Sequence, residues 1–199
     1  MAKESTLKNM VITLSAITLI SSALLGGVYV VTKGPIDAAL TAKTNSAIAS
    51  VAPKFDNDPS SEVKVVELSG KNYKVYPARS AGKVIGYAIE SYASGFGGRI
   101  SLMVGFNING TINSISVLGH TETPGLGDKI EPKKSGFGVQ FQGKNPEEFK
   151  MVVKKDGGDV DAITASTITS RAYCDAVGTA WEVFKLCQSQ NQNKEVNNE

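Results

Sequence analysis

The sequence predicts an α+β protein, an antiparallel β-meander covered by helices and preceded by one N-terminal transmembrane helix. Three observations lead to this prediction. An uncharged apolar run lies near the N-terminus, from Asn9 to Thr32. Successive segments between residues 62 and 118 alternate apolar and polar side chains, as strands with one buried face do. Near the C-terminus, from Tyr173 to Phe184, apolar residues recur every three or four positions, which indicates an amphipathic helix.

The apolar run is long enough to cross a membrane, because a helix rises about 1.5 Å per residue and the hydrocarbon core is about 30 Å thick. A cleaved secretory signal would have a shorter apolar region that ends in small residues. Here bulky residues, Val28 to Val31, occupy that place. We therefore expect an uncleaved anchor over residues 1–32. Lys3 and Lys8 precede the span and Lys33 and Lys43 follow it, which is a weak positive-inside signal by itself. Because a very short tail precedes a single anchor, we expect the tail in the cytoplasm and the remaining chain on the extracytoplasmic side.

After the anchor, residues 33–61 are expected to form a connecting helix and a polar linker. The helix would run from Pro35 to Val51, where small apolar residues recur at helical spacing. Asn109-Gly110 is a strong hairpin signal between the last two strands. The predicted strands are Glu62 to Leu68, Tyr73 to Ala78, Lys83 to Tyr92, Ile100 to Ile108 and Thr111 to Leu118.

The C-terminal half contains a long loop, GHTETPGLGDKIEPKKSGFG, which starts at Gly119. Loops of this length in a compact domain are uncommon unless they are functional. A short helix at Pro146 to Phe149 and a strand near Lys150 to Lys154 are predicted to follow. The folded domain would then occupy residues 62–190, and residues 191–199 would form a frayed tail.

Composition and charge exclude several classes of function. The 199 residues carry 21 Lys and Arg against 19 Asp and Glu, and this balance does not fit a nucleic-acid binder. The single histidine and the absence of a C-x-x-C pair leave zinc, iron-sulfur and haem sites without ligands, so no metal site is expected. Cys174 and Cys187 are about 20 Å apart along one predicted helix and cannot form a disulfide within it.

Three weaker motifs favour structural explanations. Ser80-Ala81-Gly82-Lys83 matches the S-x-x-K pattern of penicillin-binding enzymes but falls in a predicted turn rather than at a helix start. Gly95-Phe96-Gly97-Gly98 lacks the third glycine of a dinucleotide fingerprint and is better explained by close backbone approach. His120 has no partner for a metal site or a catalytic triad, so a turn or surface role is favoured.

The stretch DAITASTITSRA, from Asp161 to Ala172, has five hydroxyl side chains at the expected start of the last helix. One hydroxyl suffices to cap a helix, and threonine has poor helix propensity in the first turn. Two explanations therefore remain at this point. The hydroxyls are either a helix cap alone or part of a site for phosphate or for a nucleophile.

Two passages together, HTETPGLGDKI from His120 and DAITAST from Asp161, resemble the covalent FMN-binding domain of the G subunit of the Rnf electron-transport complex. The C subunit of the sodium-translocating NADH:quinone reductase is a close relative of that family. The resemblance covers nearly the whole chain. The family's attachment motif maps onto Asp161, Thr164, Ala165, Ser166 and the acceptor Thr167. Ala165 departs from the pattern, because the family usually has glycine there.

The resemblance implies covalent FMN, joined through its phosphate to Thr167 by a separate flavin transferase that uses FAD. The transferase explains why no base accompanies the hydroxyls, and no catalytic residue is expected in this chain. Thr164, Ser166 and Thr169 are candidates to donate hydrogen bonds to the phosphate, with Thr164 also expected as the helix cap. The loop would lie against the isoalloxazine through Glu122, Thr123, Gly125, Leu126 and Gly127.

The implied function is that of a membrane-anchored, non-autonomous electron-transfer subunit in an Rnf-type ferredoxin:NAD oxidoreductase coupled to ion transport. Its partners would be the other membrane subunits of the complex. Two alternatives stay open at the level of sequence. One is a C-type subunit of a sodium-translocating NADH:quinone reductase, and the other is a membrane-anchored binding or scaffold domain without a cofactor.

Overall fold

The computed structural model describes residues 6–196 of the chain. Two long helices enclose five strands in sequence: α1 is Leu7–Val51 and α2 is Thr167–Val196. Three short 3₁₀ helices lie between the last strand and α2, at Gly127–Ile130, Phe137–Phe141 and Lys154–Asp156. The strands are β1 Lys64–Leu68, β2 Lys71–Ser80, β3 Lys83–Ser94, β4 Arg99–Asn107 and β5 Ile112–Gly119.

The five strands form one antiparallel sheet in the order β1-β2-β3-β4-β5, so the predicted meander is confirmed. Each observed strand begins and ends within a few residues of its predicted range. The predicted hairpin turn is also present, and Gly110 has φ +86°. Its N–H donates to the Asn107 carbonyl at 2.9 Å. Glycine adopts this left-handed conformation at little cost, which explains why the Asn-Gly pair signals the turn.

The N-terminal helix differs from prediction, because α1 is one continuous helix and not an anchor followed by a separate connecting helix. Pro35 lies inside it. Proline removes one backbone hydrogen bond from a helix, but α1 continues through it to Val51. Among the described residues, α1 is the one helix long and apolar enough to cross a membrane.

The chain divides into two compact units, Met1–Lys43 and Thr44–Glu199. The second unit begins inside α1, because Ala47, Ile48 and Val51 are buried within it. The expected boundary at residue 62 therefore lies well inside this unit. The sequence predicts the end of α1 as a connecting helix outside the domain. Its small apolar residues indicate a helix, but they do not indicate which part of the protein this helix packs against.

Both faces of the sheet are covered. On one face, buried aromatic residues of the strands meet α2, with the Phe106 and Phe184 rings 4.9 Å apart and the Trp181 and Phe184 rings 5.2 Å apart. On the other face, the last turn of α1 packs against β2 to β4. Asn113 of β5 donates its amide N–H to the Val51 carbonyl at 2.7 Å and so satisfies the end of α1.

Three smaller predictions near the C-terminus are wrong. Pro146 to Phe149 form a single turn rather than a helix, closed by the Phe149 N–H on the Asn145 carbonyl. The strand expected near residues 150–154 is reduced to one isolated bridge between Val153 and Val160. Helix α2 continues to Val196, through most of the predicted frayed tail, because no glycine or proline interrupts it there. Residues 197–199 of that tail lie outside the described residues.

Candidate functional site

A cleft of about 370 Å³ opens where three segments meet. The loop after β3 contributes one residue, the loop after β5 contributes four, and the start of α2 with its preceding turn contributes five. The cleft therefore brings together both passages that carry the sequence resemblance. Its lining residues are Phe96, Glu122, Thr123, Leu126, Gly127, Ala165, Ser166, Thr167, Ile168 and Thr169.

The start of α2 supplies the polar end of the cleft. Thr167 is the first helical residue and is half-buried. Within the described residues, the backbone N–H groups of residues 167, 168 and 169 have no acceptor, whereas the Ser170 N–H donates to the Ser166 carbonyl at 3.0 Å. Free N–H groups and the positive end of a 30-residue helix dipole favour an anion at this position.

Thr164 does not cap the helix as predicted, because it lies three residues before the helix start and is exposed in a turn. It also lies outside the cleft lining. The turn itself is closed by the Ser166 N–H on the Ile163 carbonyl at 3.0 Å and by the Ser170 hydroxyl, which accepts from the Ile163 N–H at 2.9 Å. The hydroxyls that organise this turn are therefore further along the chain than the sequence suggested.

Ala165 occupies the left-handed region of backbone conformation, with φ +61°. This region costs a residue with a β-carbon free energy that glycine does not lose. The preference for glycine that the sequence resemblance implies at this position thus has a direct backbone explanation. Alanine is tolerated because its methyl group is small and exposed.

Glu122 connects the walls of the cleft. Its side chain is almost completely buried, at 5% exposure. One carboxylate oxygen accepts the Gly97 N–H at 2.9 Å, and the other accepts the Thr169 hydroxyl at 2.5 Å. Because the Thr169 hydroxyl donates to Glu122, its hydrogen is already engaged, and the proposed donation from Thr169 to a phosphate would require this bond to break.

Gly95 and Gly127 make room for the Glu122 side chain, and Gly97 lets its loop approach the backbone of Thr121 closely. A β-carbon at Gly127 would lie 2.7 Å from a Glu122 carboxylate oxygen and 2.8 Å from the Thr169 hydroxyl. A β-carbon at Gly95 would collide with the other carboxylate oxygen, and one at Gly97 would collide with the Thr121 carbonyl. The close backbone approach predicted for the Gly95 to Gly98 segment is therefore confirmed.

Exposed apolar side chains form the remaining walls. Phe96 is 70% exposed, Ile168 is 50% exposed and Leu126 is 42% exposed, although all three line the cleft. Large apolar side chains grouped at a concave site indicate a surface that binds an apolar ligand. Of these three residues, only Leu126 was predicted from the sequence as a site residue, and Phe96 and Ile168 were not. The glycines on both sides of Phe96 were the available signal, since they hold an aromatic residue on an exposed loop.

His120 joins two parts of the loop after β5 by hydrogen bonds of its ring. Its Nδ1 accepts the Glu122 backbone N–H at 3.1 Å, so the ring proton lies on Nε2, which is 2.7 Å from a Glu131 carboxylate oxygen. The hydrogen bond from His120 holds the pKa of Glu131 below its usual range, and Lys134 contributes in the same direction. The histidine thus orients the loop backbone, at a residue for which a turn or surface role was predicted.

The structure brings together eight of the ten residues proposed for the cofactor site. Thr164 and Gly125 are the two outside the cleft lining, and Gly125, with φ +79°, serves the turn of the loop. Asp161 of the attachment motif also lies outside the cleft. Its carboxylate pairs with Lys154 at 2.8 Å and its backbone N–H donates to the Gln140 side chain at 2.8 Å. Asp161 is exposed, so it is accessible to another protein.

The FMN-binding domain family matches residues 95–182, which contain the whole cleft lining. The G subunit of the ion-translocating oxidoreductase complex of Haemophilus influenzae (strain PittEE) is 36% identical over 170 residues, which make up 81% of this chain and 82% of that protein. This chain belongs to the family of G subunits of ion-translocating oxidoreductase complexes. The G subunit of Shewanella baltica (strain OS223) is 46% identical over 119 residues, or 58% of this chain and 56% of that protein's length. Among solved structures, that of Shewanella oneidensis NqrC aligns over 62% of each chain, with a TM-score of 0.47 and 23% identity.

The cleft of this G-subunit family member has the chemistry that FMN requires. Apolar side chains line one part of it, where a flat aromatic ring would bind, and the free N–H groups of α2 line another, where a phosphate would bind. Thr167, whose hydroxyl is the predicted acceptor, lines the same cleft at the start of α2 and is half-buried. The residues present therefore fit the cofactor named by the family.

Proposed function

We propose that this chain is a membrane-anchored electron-transfer subunit that carries FMN covalently on Thr167, within an Rnf-type ferredoxin:NAD oxidoreductase complex. The observation that supports this most directly is the position of Thr167 in the cleft, at the first residue of α2 and beside free backbone N–H groups. The names of the curated relatives, subunits of ion-translocating oxidoreductase complexes, favour this complex over the quinone reductase alternative.

Thr167 is the best acceptor among the hydroxyls of the motif. Thr164 lies outside the cleft lining, and Thr169 is only 2% exposed with its hydroxyl bound to Glu122. Ser170 is fully buried and bonded within the turn. Ser166 lines the cleft but is 8% exposed. Thr167 alone combines a place in the lining with partial exposure, which a transferase needs to reach the oxygen.

The phosphodiester formed on Thr167 would retain a negative charge. No lysine or arginine is among the residues that line the cleft, so neutral donors must stabilise this charge. The backbone N–H groups of residues 167–169 and the helix dipole are suited to that task. These N–H groups are already fixed by the helix, so binding the phosphate costs no side-chain conformational entropy. A long charged side chain in their place would lose rotamer freedom on binding.

When bound, FMN supplies reversible one- and two-electron redox chemistry, which no side chain of this protein provides. The protein's own contribution is to hold the ring and limit its contact with water. Phe96, Leu126 and Ile168 offer apolar contact, while Glu122 and Gly97 keep the two loops at a constant separation. A covalent tether prevents loss of the cofactor on the extracytoplasmic side, where we place the domain.

Maturation would require a partner, because the cleft has no base next to Thr167. The described hydrogen bonds and ion pairs include none between Thr167 and a histidine or carboxylate. We therefore assign this step to a separate flavin transferase: the Thr167 oxygen forms a bond to the FMN phosphorus of FAD, the pyrophosphate bond breaks, and AMP leaves with the hydroxyl proton. The exposed Asp161 and the left-handed turn at Ala165 are the parts of the motif that it could contact.

The test is the intact mass of the full chain, purified in detergent after expression with and without a flavin transferase. With the transferase, the wild type should exceed the bare chain by one FMN less one water. Thr167→Val should fold and show no increment, whereas Thr167→Ser should retain some. Thr179→Val is the matched control, since it removes a hydroxyl from the same helix outside the motif and the cleft lining, and it should keep the full increment.

Two outcomes would contradict the proposal. If Thr167→Val keeps the increment and Thr169→Val loses it, the acceptor is wrong by two residues. If the wild type never gains the increment and binds no flavin, the protein is a cofactor-free anchored domain.

The side of the membrane can be measured independently. A single cysteine introduced in place of Ser61, an exposed residue of the second unit, should react with a membrane-impermeant maleimide in intact cells. The two native cysteines are buried and give little background. Reaction only after the cells are lysed would place the domain in the cytoplasm.

A further inference from the structure

We propose that the charge of Glu122 lowers the reduction potential of the flavin held in this cleft. The inference rests on the proposed function, since it requires FMN in the cleft, and it adds a role for one residue. Glu122 is the acidic residue among those that line the cleft, and it is buried in the wall rather than exposed at the rim.

The hydrogen bonds of Glu122 are those of an ionised carboxylate. The Gly97 backbone N–H can only donate, and it points to one oxygen at 2.9 Å. The Thr169 hydroxyl donates to the other oxygen at 2.5 Å. Each oxygen therefore has a donor, so a full negative charge can be kept inside the wall without an added proton.

Within the part of the chain that the structure describes, no cation neutralises this charge at close range. Among the described residues, Glu122 has no lysine, arginine or histidine ion-pair partner within 4.0 Å, and Lys134 of the same loop pairs instead with Asp128 and Glu131. The neutral donors and the N-terminus of α2 stabilise the carboxylate but contribute no full positive charge. A ligand in the cleft would therefore experience a net negative charge from this wall.

The carboxylate also has little freedom to move away. A β-carbon at Gly95 or Gly127 would collide with one of its two oxygens, and its two hydrogen bonds join separate segments of the chain. A buried charge that cannot turn toward water is screened less than a surface charge. Adding electrons to a flavin next to it is therefore disfavoured, and the reduction potential falls.

The decisive variant is Glu122→Gln, which keeps the shape of the side chain and removes its charge. The full chain is flavinylated by coexpression with the transferase, and its potential is measured by spectroscopic redox titration in detergent. We expect the equilibrium constant for reduction to rise at least tenfold, which corresponds to about +30 mV for a two-electron couple. Circular dichroism establishes that the variant folds, and the intact mass establishes that it carries flavin.

Two controls separate charge from geometry. Glu131→Gln makes the same charge change in the same loop, outside the cleft lining and on a side chain that is 33% exposed, so its shift should be clearly smaller. Thr169→Val removes one hydrogen bond to Glu122 but leaves the charge, so the potential should not rise. A rise in Thr169→Val equal to that in Glu122→Gln would show that geometry, and not charge, sets the potential.

A second variant keeps the proposal testable if Glu122→Gln does not fold. Glu122→Met also removes the charge from the cleft lining and keeps an unbranched side chain of similar length, so it should raise the potential as well. Flavinylated variants with unchanged potentials would overturn the role of Glu122 and leave the proposed function intact. A wild type without flavin would overturn the proposed function instead.

Discussion

Replacing Ala165 with glycine should stabilise the protein, although glycine usually destabilises a folded chain. Ala165 has φ +61°, and the left-handed conformation costs a residue with a β-carbon about 1 to 2 kcal/mol. Glycine removes this cost but loses about 0.5 to 1 kcal/mol more backbone entropy on folding. The methyl group is exposed, so its removal leaves no cavity. The expected net gain in the free energy of unfolding is therefore about 0.5 to 1 kcal/mol.

Thermal unfolding followed by circular dichroism measures this gain. The assay uses chain without flavin, because a bound cofactor would add its own stabilisation. The second unit, Thr44–Glu199, contains 156 residues (199 − 44 + 1), and for a domain of that size about 1 kcal/mol shifts Tm by about 2 to 4 °C. We therefore expect the Tm of Ala165→Gly to rise by about 1 to 4 °C.

A matched control exists in the turn between β2 and β3, where Ala81 has φ +50° and is also exposed. Ala81→Gly should raise the Tm by a similar amount. Only Ala165→Gly should also increase the rate of flavin incorporation, because only that turn belongs to the attachment motif. A lower Tm in Ala165→Gly, with a higher Tm in Ala81→Gly, would refute the explanation of Ala165 by backbone strain.

The remaining predictions concern packing, titration and thiol reactivity. Gly127→Ala should lower the free energy of unfolding by about 1 to 3 kcal/mol in denaturant titrations, because its β-carbon would lie 2.7 Å from Glu122. Gly136→Ala, where the nearest atom would be 4.0 Å away, should be close to neutral, and equal losses in the two variants would contradict this reasoning. The Arg171 side chain holds the pKa of Asp156 below its usual range, through hydrogen bonds of 2.6 and 2.8 Å. The pair should thus stabilise the wild type over Asp156→Asn above the unfolded pKa of about 3.9. This difference in the free energy of unfolding between the wild type and the variant should disappear as the pH falls through the lowered pKa of Asp156 in the folded protein. A difference that does not change with pH would exclude the ion pair as its source. Burial raises the pKa values of the two free cysteines to about 12 and about 11, so iodoacetamide should label neither in the native protein at pH 8 and both after denaturation. Resistance of both to labelling after nonreducing denaturation would indicate a disulfide.

The sequence was sufficient where the signal is local. Alternating apolar residues located all five strands, because a strand with one buried face must alternate wherever its partner lies. The Asn109-Gly110 turn was predictable because its backbone conformation depends on those two residues alone. The acceptor motif and the ETPGLG loop could be recognised for the same reason, as contiguous patterns.

Predictions failed where the deciding contact comes from elsewhere in the chain. The end of α1 looked like a connector, since only the structure shows Val51 packed on the sheet and its carbonyl bound by Asn113, 62 positions away. The strand near residues 150–154 was predicted from local pattern, but no sheet strand lies beside it to supply hydrogen bonds. Helix α2 exceeded its predicted end because neither its composition nor its apolar spacing indicates where a polar helix stops.

The same division holds for the cleft. By itself, the sequence determined that a hydroxyl-rich helix start and a glycine-rich loop exist, and that their motifs resemble those of flavin-carrying subunits. Only the tertiary structure placed Glu122 between Gly97 and Thr169, 25 positions before it and 47 positions after it. It likewise brought Phe96 and Ile168 to one cleft and gave Ala165 its left-handed conformation. Hydrogen bonds and packing between distant segments depend on how the sheet and α2 come together in three dimensions, and no local pattern of residues encodes that arrangement.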